Sequence, residues 1–440
     1  MVRQRRGADV GRDERDRQTV ERAAARLVSA RRTMSTSEAA RRMGVKRETV
    51  YAYVSRGVLT SHRGPDGRRS RFDVHEVEAL ARRGRPRRSS RSAVFEIQIE
   101  TGLTAIEAHR LRFRGFDAIE LSSATTFEQA AELLWSGALP AHYTPWQVRT
   151  VGAETEGEGL DRIRIAVARA GAGDSTRTDL RPAVVAGCGR ALISAVVDAL
   201  PVVGSARIAR LRIADAPPLS STIAARLWTR LTPARPRSEL VAVLNAALVL
   251  LIDHELAAST LAARVAASVR ADPYAVVGAG LGPLSGVLHG GASRLARTML
   301  ADARARVEDL GMARAAAAAV QAARERHGVV PGFGQPLYPD GDPRAGALLG
   351  MLRECTDAAT AMALSDAIVR EVQGEHYVHP NVDYALATFG LAAGMAADAG
   401  EVIFAVARTA GWLAHAMEEY GMEPVRFRPR ASYVPAVEPA

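Results

Sequence analysis

The chain has 440 residues, a formal net charge of +10 and two cysteines, Cys188 and Cys355, that lie far apart. This length predicts two or three domains, and the cysteine count excludes a disulfide framework and a cysteine zinc site. The N-terminus has no apolar core, and the longest apolar run, residues 240–252, is short. We therefore expect no secretory signal and no membrane span, and a cytoplasmic protein without a membrane partner.

The positive charge is concentrated in the first ninety residues. Residues 1–90 hold 24 Lys and Arg against 11 Asp and Glu, whereas the remainder holds 34 basic and 37 acidic residues. Such asymmetry indicates either a nucleic-acid-binding head on a neutral body or a solvated basic tail. Residues 1–32 are interpreted as a basic N-terminal segment.

The stretch "TSEAARRMGVKRETVYAYVSRGVL" (Thr36 to Leu59) favours the nucleic-acid-binding interpretation. Ala39, Ala40 and Met43 recur at the spacing of one helix face. Gly44 can adopt the left-handed conformation that ends this helix. A second helix follows after a tight turn, and in a helix-turn-helix this second helix enters the major groove of DNA.

A predicted wing follows the two helices. Residues 64–67, "GPDG", form a strong turn signal between two short basic segments, and a further helix would carry Val74, Val77 and Leu80. This order resembles the winged DNA-binding domain of the MerR and excisionase-like families across roughly residues 33–83. The alternative is a small helical domain with a solvated arginine face. Residues 84–92 are interpreted as a basic linker.

The resemblance implies two groups of DNA-contacting residues. The base-side candidates are Arg47, Thr49 and Tyr51. The phosphate-side candidates are Lys46, Arg63, Arg68, Arg69 and Arg71.

The body, from Ala93 onward, is predicted to be all-α. Helical patterns dominate, as in "FEQAAELLWSGALP", which should end at Gly137 and Pro140, and in "EVIFAVARTAGWLAHAMEEYG". Strand-like alternation is almost confined to "VFEIQIET", near Val94. The stretch "GAGLGPLSG" (Gly278 to Gly286) follows no strand, which argues against a Rossmann fold.

Short unusual stretches interrupt the helices in a specific order: "FRGFDAIEL", "ELLWSGALP", "HELAAST", "LHGGA", "GFGQPLYPDGDPRA", "PNVDYA", "ARTAGW" and "RPRASY". This order and wording resemble citrate synthases over about residues 93–435. The resemblance implies a body, residues 93–440, with a large and a small helical domain, the small one inserted at roughly residues 260–365. It also implies a homodimer that needs no cofactor, with acetyl-CoA or propionyl-CoA and oxaloacetate as substrates. No bound metal is expected, because no cluster of His, Asp and Glu has ligand spacing.

The same resemblance assigns chemistry to individual residues. Asp383 matches the base that removes a proton from the thioester methyl group, and His289 matches the donor that stabilises the resulting enolate. Four residues match the site of the dicarboxylate oxo acid, because arginine binds carboxylates by a two-pronged fork. These residues are His254, Arg344, Arg408 and Arg428, with Arg428 reaching across the dimer interface.

The stretch Val329 to Gly346, here called the Gly-Pro loop, holds four glycines and four prolines. By resemblance it lines the CoA site with main-chain groups, where large side chains would collide with the thioester arm, and the prolines reduce the ordering cost of binding. The candidate CoA-binding residues are Val330, Gly332, Gly334 and Asn381. Gln335 is the expected donor to the ketone oxygen, since Tyr338 lies three residues further on.

Two positions depart from the family pattern. Gln335 stands where the family usually has His, and Ala257 stands where it usually has Asn. Three functions therefore stay open. The first is an acyltransferase condensing the acyl-CoA with oxaloacetate. The second is a transcription regulator whose body senses CoA esters or oxo acids, and the third is a dimeric scaffold.

Overall fold

The structure is a computed structural model that describes residues 33–43, 45–55, 59–63, 70–74, 76–77, 98–107, 110–146, 157–203, 222–375 and 378–429. The chain divides into two compact units, residues 1–98 and 99–440. Several predicted features lie outside the described residues: the segment 1–32, Gly44, the wing turn with Arg68 and Arg69, Leu80 and the linker 84–92.

The first unit has the two predicted helices and a small antiparallel sheet. Its elements are β1 (Thr33–Ser35), α1 (Thr36–Met43), α2 (Arg47–Ser55), β2 (Ser61–Arg63) and β3 (Ser70–Asp73). The strand order is β1-β3-β2, so the two basic segments that follow α2 pair as the strands of a wing. The apolar positions of the sequence pattern form the buried core of this unit, with Phe72 of β3 added to it.

The second unit begins with three short strands that the sequence analysis missed: β4 (Thr104–Glu107), β5 (Arg110–Phe113) and β6 (Phe116–Asp117). In β5, buried Leu111 and Phe113 alternate with the more exposed Arg110 and Arg112. This alternation of period two was present in the sequence. The described residues 98–101 of "VFEIQIET" form no strand.

The rest of the second unit is helical, as predicted. The helices are α3 (Ala118–Ala124), α4 (Phe127–Ser136), α5 (Gly159–Ala172), α6 (Pro182–Ala199), α7 (Ile223–Leu231), α8 (Ser238–Leu251), α9 (Ala258–Ser268), α10 (Pro273–Leu284), α11 (Ala292–Leu310), α12 (Met312–His327), α13 (Pro343–Glu354), α14 (Ala359–Glu375), α15 (Val382–Ala392) and α16 (Ala399–Tyr420).

Helix α4 shows how the local sequence sets these boundaries. Thr126 and Gln129 form a capping box at its start, and Gly137 ends it in the left-handed conformation with φ of 78°. Helix α6 has the length and mean hydropathy, 1.4, of a membrane span, but 61% of it is buried inside the protein, as in an ordinary core helix.

Helices α8 and α16 cross closely, and this contact positions the candidate site. A Cβ at Gly411 of α16 would lie 3.0 Å from Oδ1 of Asp253 and still closer to the Ile252 carbonyl. Any larger residue at position 411 would therefore push α16 away from the end of α8. The glycine of "ARTAGW" thus fixes how far Arg408, one turn earlier, lies from the segment after α8.

Candidate functional site

Arg408 is a buried cation with two free donors. It is 1% exposed, and its Nε donates to the Leu251 carbonyl at 2.9 Å. Its Nη1 and Nη2 are buried and have no partner among the described residues. Burial lowers the pKa of Arg408 to about 10, although the nearby carboxylate of Asp253 opposes this shift. The group stays charged at neutral pH, and a buried charge without a partner is costly unless an anion binds there.

Arg344 is held by its own helix start. Asp342 is the N-cap of α13 and accepts from the Arg344 backbone N–H at 3.1 Å. Its carboxylate also accepts from the Nε of Arg344 at 3.0 Å and from Nη2 at 2.8 Å. The carboxylate therefore fixes the guanidinium in one orientation, with Nη1 outside this fork.

His254 lies beside both arginines. Burial, followed by the positive charges of Arg344 and Arg408, lowers the pKa of His254 well below 6.5. His254 is therefore neutral at physiological pH. Its Nε2 lies 3.0 Å from the hydroxyl oxygen of Tyr338, a buried side chain of the Gly-Pro loop.

His289 is also neutral. Burial, followed by the charge of Arg408, lowers its pKa to about 4. Its Nε2 lies 2.8 Å from the Ser259 hydroxyl oxygen, and its ring meets Phe404 edge-on with centroids 5.4 Å apart. A Cβ at Gly290 would lie 2.6 Å from the Leu284 carbonyl, so the residue after His289 must be glycine for this turn to close.

Asp383 carries an unpaired carboxylate oxygen. Asn381 caps α15 by accepting from the backbone N–H groups of Asp383 and Tyr384 at 3.1 and 3.3 Å, which places Asp383 in the first turn. The Oδ1 of Asp383 is buried without a partner among the described residues. Burial raises its pKa to about 7, although the positive charge of Arg344 opposes this shift. This value suits a general base at neutral pH.

The Gly-Pro loop lies against the segment before α15. The Gly334 N–H donates to the His379 carbonyl at 2.8 Å, and the Asn381 N–H donates to the Gly332 carbonyl at 2.9 Å. Gly332 has φ of +82°, and a Cβ there would lie 2.8 Å from the Tyr384 Cβ. The glycine is thus required by packing within the protein, a reason that sequence reasoning did not supply. Asn381 also donates from Nδ2 to the Gly334 carbonyl at 3.0 Å, so it ties the loop to α15.

The remaining predicted residues are less buried than Arg344 and Arg408. Val330 and Gln335 are partly buried, and Arg428 is exposed. The Oε1 of Gln335 accepts weakly from the Leu337 N–H at 3.4 Å. Ala257 is the N-cap of α9 and makes no side-chain cap, so the missing Asn removes at least a capping group from this helix.

The structure therefore brings five of the predicted residues into one electrostatically connected cluster. His254 is influenced by Arg344, Arg408 and His289, and Arg344 interacts with Asp383. Arg428 and the CoA candidate Val330 are not among these contacts. Among the residues that the structure describes, no group of His, Cys, Asp and Glu could hold a metal ion.

Sequence reasoning missed three residues of the cluster: Tyr338, Asp342 and Ser259. Tyr338 was set aside because of its distance along the chain from Gln335, yet its hydroxyl reaches His254. Asp342 could have been found, since an Asp before Pro343 and Arg344 is a typical N-cap. Nothing local in the sequence indicates that Ser259 contacts His289.

Comparisons with known proteins identify the family of this chain. Residues 95–430 match the family described as citrate synthase, C-terminal domain, and residues 33–85 match a helix-turn-helix domain. The chain is 29% identical to citrate synthase 2 of Bacillus subtilis over 76% of this chain and 92% of that protein. It is 28% identical to 2-methylcitrate synthase 2 of Corynebacterium glutamicum, over 71% and 86% respectively.

Solved structures show the same fold. A ternary complex of carboxymethyl coenzyme A and oxaloacetate with citrate synthase from Thermoplasma acidophilum superposes with a TM-score of 0.59. The two chains are 23% identical, and the match covers 79% of this chain and 96% of that one. With a family match over most of its length, this chain belongs to the citrate synthase family and is an acyltransferase of the citrate synthase type, a type of enzyme that needs no cofactor.

Proposed function

We propose that the body condenses acetyl-CoA or propionyl-CoA with oxaloacetate and then hydrolyses the acyl-CoA, releasing citrate or 2-methylcitrate and free CoA. The observation that carries this proposal is that one cluster contains both a buried carboxylate and buried cations. A carboxylate with a free buried oxygen, Asp383, interacts with Arg344 beside a second buried cation, Arg408, whose two Nη groups are unpaired. The first group suits proton removal and the cations suit a dicarboxylate.

The residues divide the reaction between them. Arg344, Arg408 and His254 bind the oxo acid, and Arg428 of a second protomer completes its site in a homodimer. The carboxylate of Asp383 takes the methyl proton of the acyl-CoA, while neutral His289 donates a hydrogen bond to the thioester oxygen. The resulting carbon nucleophile attacks the ketone, and the alkoxide that forms accepts a hydrogen bond from the Gln335 amide. The alkoxide takes up a proton from solvent, and Asp383 returns its proton to solvent. Water then cleaves the thioester and releases the CoA thiol.

The CoA arm would lie along the main chain of the Gly-Pro loop, at Val330, Gly332 and Gly334, with Asn381 holding the loop in place. The inserted small domain, at roughly residues 260–365, would supply most of this surface. The test is thiol release from acetyl-CoA or propionyl-CoA by the purified protein, with and without oxaloacetate. Turnover that depends on oxaloacetate supports the proposal, and its absence with both thioesters contradicts it.

Substitution of Gln335 should affect the reaction of the ketone without affecting the binding of the thioester. Loss of one donor to a developing oxyanion in a dry site costs about 3–4 kcal/mol. Gln335→Ala should therefore lower turnover by on the order of 10²-fold, and Gln335→His should retain or increase it. The affinity for acetyl-CoA should barely change in either variant. Steady-state kinetics of the three proteins test this, with Gln321→Ala, an exposed glutamine of α12, as a control. Unchanged turnover in Gln335→Ala would show that Gln335 does not polarise the ketone.

A second function, DNA binding by the first unit, is favoured by the helix-turn-helix match and by the surface of α2. Lys46 and Arg47 at its start are exposed, Tyr51 is 50% exposed, and Thr49 is partly buried. A protein with this function would be a transcription regulator whose citrate synthase-type body responds to CoA esters or oxo acids.

The DNA-binding proposal predicts a salt-dependent affinity. For a head that makes about six phosphate contacts, the slope of log K against log salt concentration should be about −5. Binding of the full chain to duplex DNA over a salt series measures this slope. Lys46→Gln should make the slope shallower by about one. Binding that is absent or independent of salt would contradict the proposal.

A further inference from the structure

Tyr338 is a buried tyrosine of the Gly-Pro loop whose hydroxyl faces the oxo-acid cluster. It is 2% exposed, and its hydroxyl oxygen lies 3.0 Å from the Nε2 of His254. The two rings are tilted by 56°, with centroids 5.6 Å apart, and the guanidinium carbon of Arg344 lies 5.7 Å from the tyrosine ring centroid. The ring thus packs between two residues of the proposed oxo-acid site.

The contact between the two side chains depends on where the protons lie. Neutral imidazole has one N–H donor and one acceptor nitrogen. Burial, together with two cations, keeps His254 neutral, and burial raises the pKa of Tyr338 to about 12, so the phenol keeps its proton. Either Tyr338 donates to Nε2, or Nε2 donates to Tyr338.

The surroundings select the first arrangement. If Tyr338 accepted from His254, its own proton would need another acceptor. Among the described residues, the only hydrogen bond of the Tyr338 hydroxyl is the one to His254. A buried O–H without an acceptor is unfavourable, and in that arrangement the acceptor Nδ1 would lack a described partner as well. Donation from Tyr338 to Nε2 instead leaves a single unpaired group, the Nδ1–H of His254. The proton of His254 then lies on Nδ1, for which the described residues provide no partner.

We propose that Tyr338 is a positioning residue that holds His254 as the Nδ1–H tautomer, so that His254 presents an N–H donor to the oxo acid. The inference rests on the proposed function, since it takes the oxo acid as the ligand. With the opposite tautomer, the free nitrogen would be an acceptor and would repel the oxygen atoms of a dicarboxylate. Tyr338 therefore makes His254 a donor to the oxo acid, like the arginines of the site.

The test removes only the hydroxyl. In Tyr338→Phe, the ring that packs on Arg344 and His254 remains. We expect the KM for oxaloacetate to rise by up to about tenfold, which is the size of one hydrogen bond, with the KM for acetyl-CoA unchanged. The matched control is Tyr420→Phe, which removes a tyrosine hydroxyl that donates to the Ala271 carbonyl at 2.6 Å, at the far end of α16.

The tautomer itself is measured in the ligand-free protein. Two-bond and three-bond ¹H–¹⁵N correlation spectra of histidine-labelled protein distinguish the two neutral forms, and His254→Gln identifies the resonance. We expect Nδ1–H alone in the wild type and a mixture of tautomers in Tyr338→Phe.

Two spectroscopic results would overturn the inference: an Nε2–H tautomer in the wild type, or an unchanged single tautomer in Tyr338→Phe. This readout requires no turnover. A protein that shows the expected tautomers but neither binds nor converts oxaloacetate would retain the Tyr338–His254 pairing and refute the proposed substrate. An unchanged KM for oxaloacetate in an active Tyr338→Phe variant would refute the positioning role.

Discussion

Asp383→Asn should abolish most of the turnover of acyl-CoA with oxaloacetate. The amide has nearly the shape of the carboxylate but cannot take a proton, and a positioned general base contributes about 10²–10⁴-fold. We expect the loss of turnover to lie at the upper end of this range, because the methyl proton of a thioester is weakly acidic. The KM for oxaloacetate should change little, since the cations that bind it remain. Steady-state thiol release measures both quantities.

The same residue predicts a rate that depends on pH. Burial raises the pKa of Asp383 to about 7, so the base form accumulates as the pH rises through 7. The wild-type kcat/KM for the acyl-CoA should therefore rise through this range, and Asp383→Asn should lack that limb.

The stability of the folded protein should fall as the pH rises, whereas the rate increases. Between pH 4 and 7 the folded state keeps a proton on Asp383 that the unfolded state loses, so this group reduces stability as the pH rises. Asp383→Asn should melt at a higher temperature than the wild type at pH 8, and at nearly the same temperature near pH 4. The control is Asp366→Asn, which changes a partly exposed carboxylate paired with Arg353. Turnover of Asp383→Asn within tenfold of the wild type would show that another group is the base.

Arg408→Gln should raise the KM for oxaloacetate by at least about 30-fold, because truncating one partner of a buried charge pair costs about 2–5 kcal/mol. The ligand-free variant should also be more stable than the wild type, since the mutation removes a buried cation whose two Nη groups have no partner. Oxaloacetate should raise the melting temperature of the wild type and leave that of the variant unchanged. Calorimetry with and without oxaloacetate tests this.

Substitution of a second arginine should change protein stability in the opposite direction. Arg226 is also mostly buried, but its Nη2 donates to Asp198 at 2.6 Å. Arg226→Gln should destabilise the protein by removing the closer of two ion-pair partners of Asp198, which keeps only Arg230 at 3.6 Å, and the KM for oxaloacetate should stay as in the wild type. Stabilisation of Arg408→Gln by oxaloacetate equal to that of the wild type would mean that the carboxylates bind elsewhere.

The sequence by itself was enough for the parts of this protein that depend on local pattern. The helix-turn-helix followed from the spacing of Ala39, Ala40 and Met43, and the end of α4 followed from Gly137. The family followed from short stretches in a fixed order, because glycine, proline and charged residues between helices are constrained by the backbone. The signal for the missed strands was also local. Strand β5 alternates apolar and charged residues, but it is only four residues long and two of these are arginine.

The tertiary structure decided the contacts and charges of the site. Tyr338 and His254 are 84 positions apart, and no periodicity links them. Whether an arginine is free or paired depends on what lies around it: Asp342 occupies the fork of Arg344, while the Nη groups of Arg408 remain unpaired. The pKa of Asp383 likewise depends on burial, which is the sum of contacts from many elements. Residue identity could thus be predicted from the chain, but protonation and pairing required the packed fold.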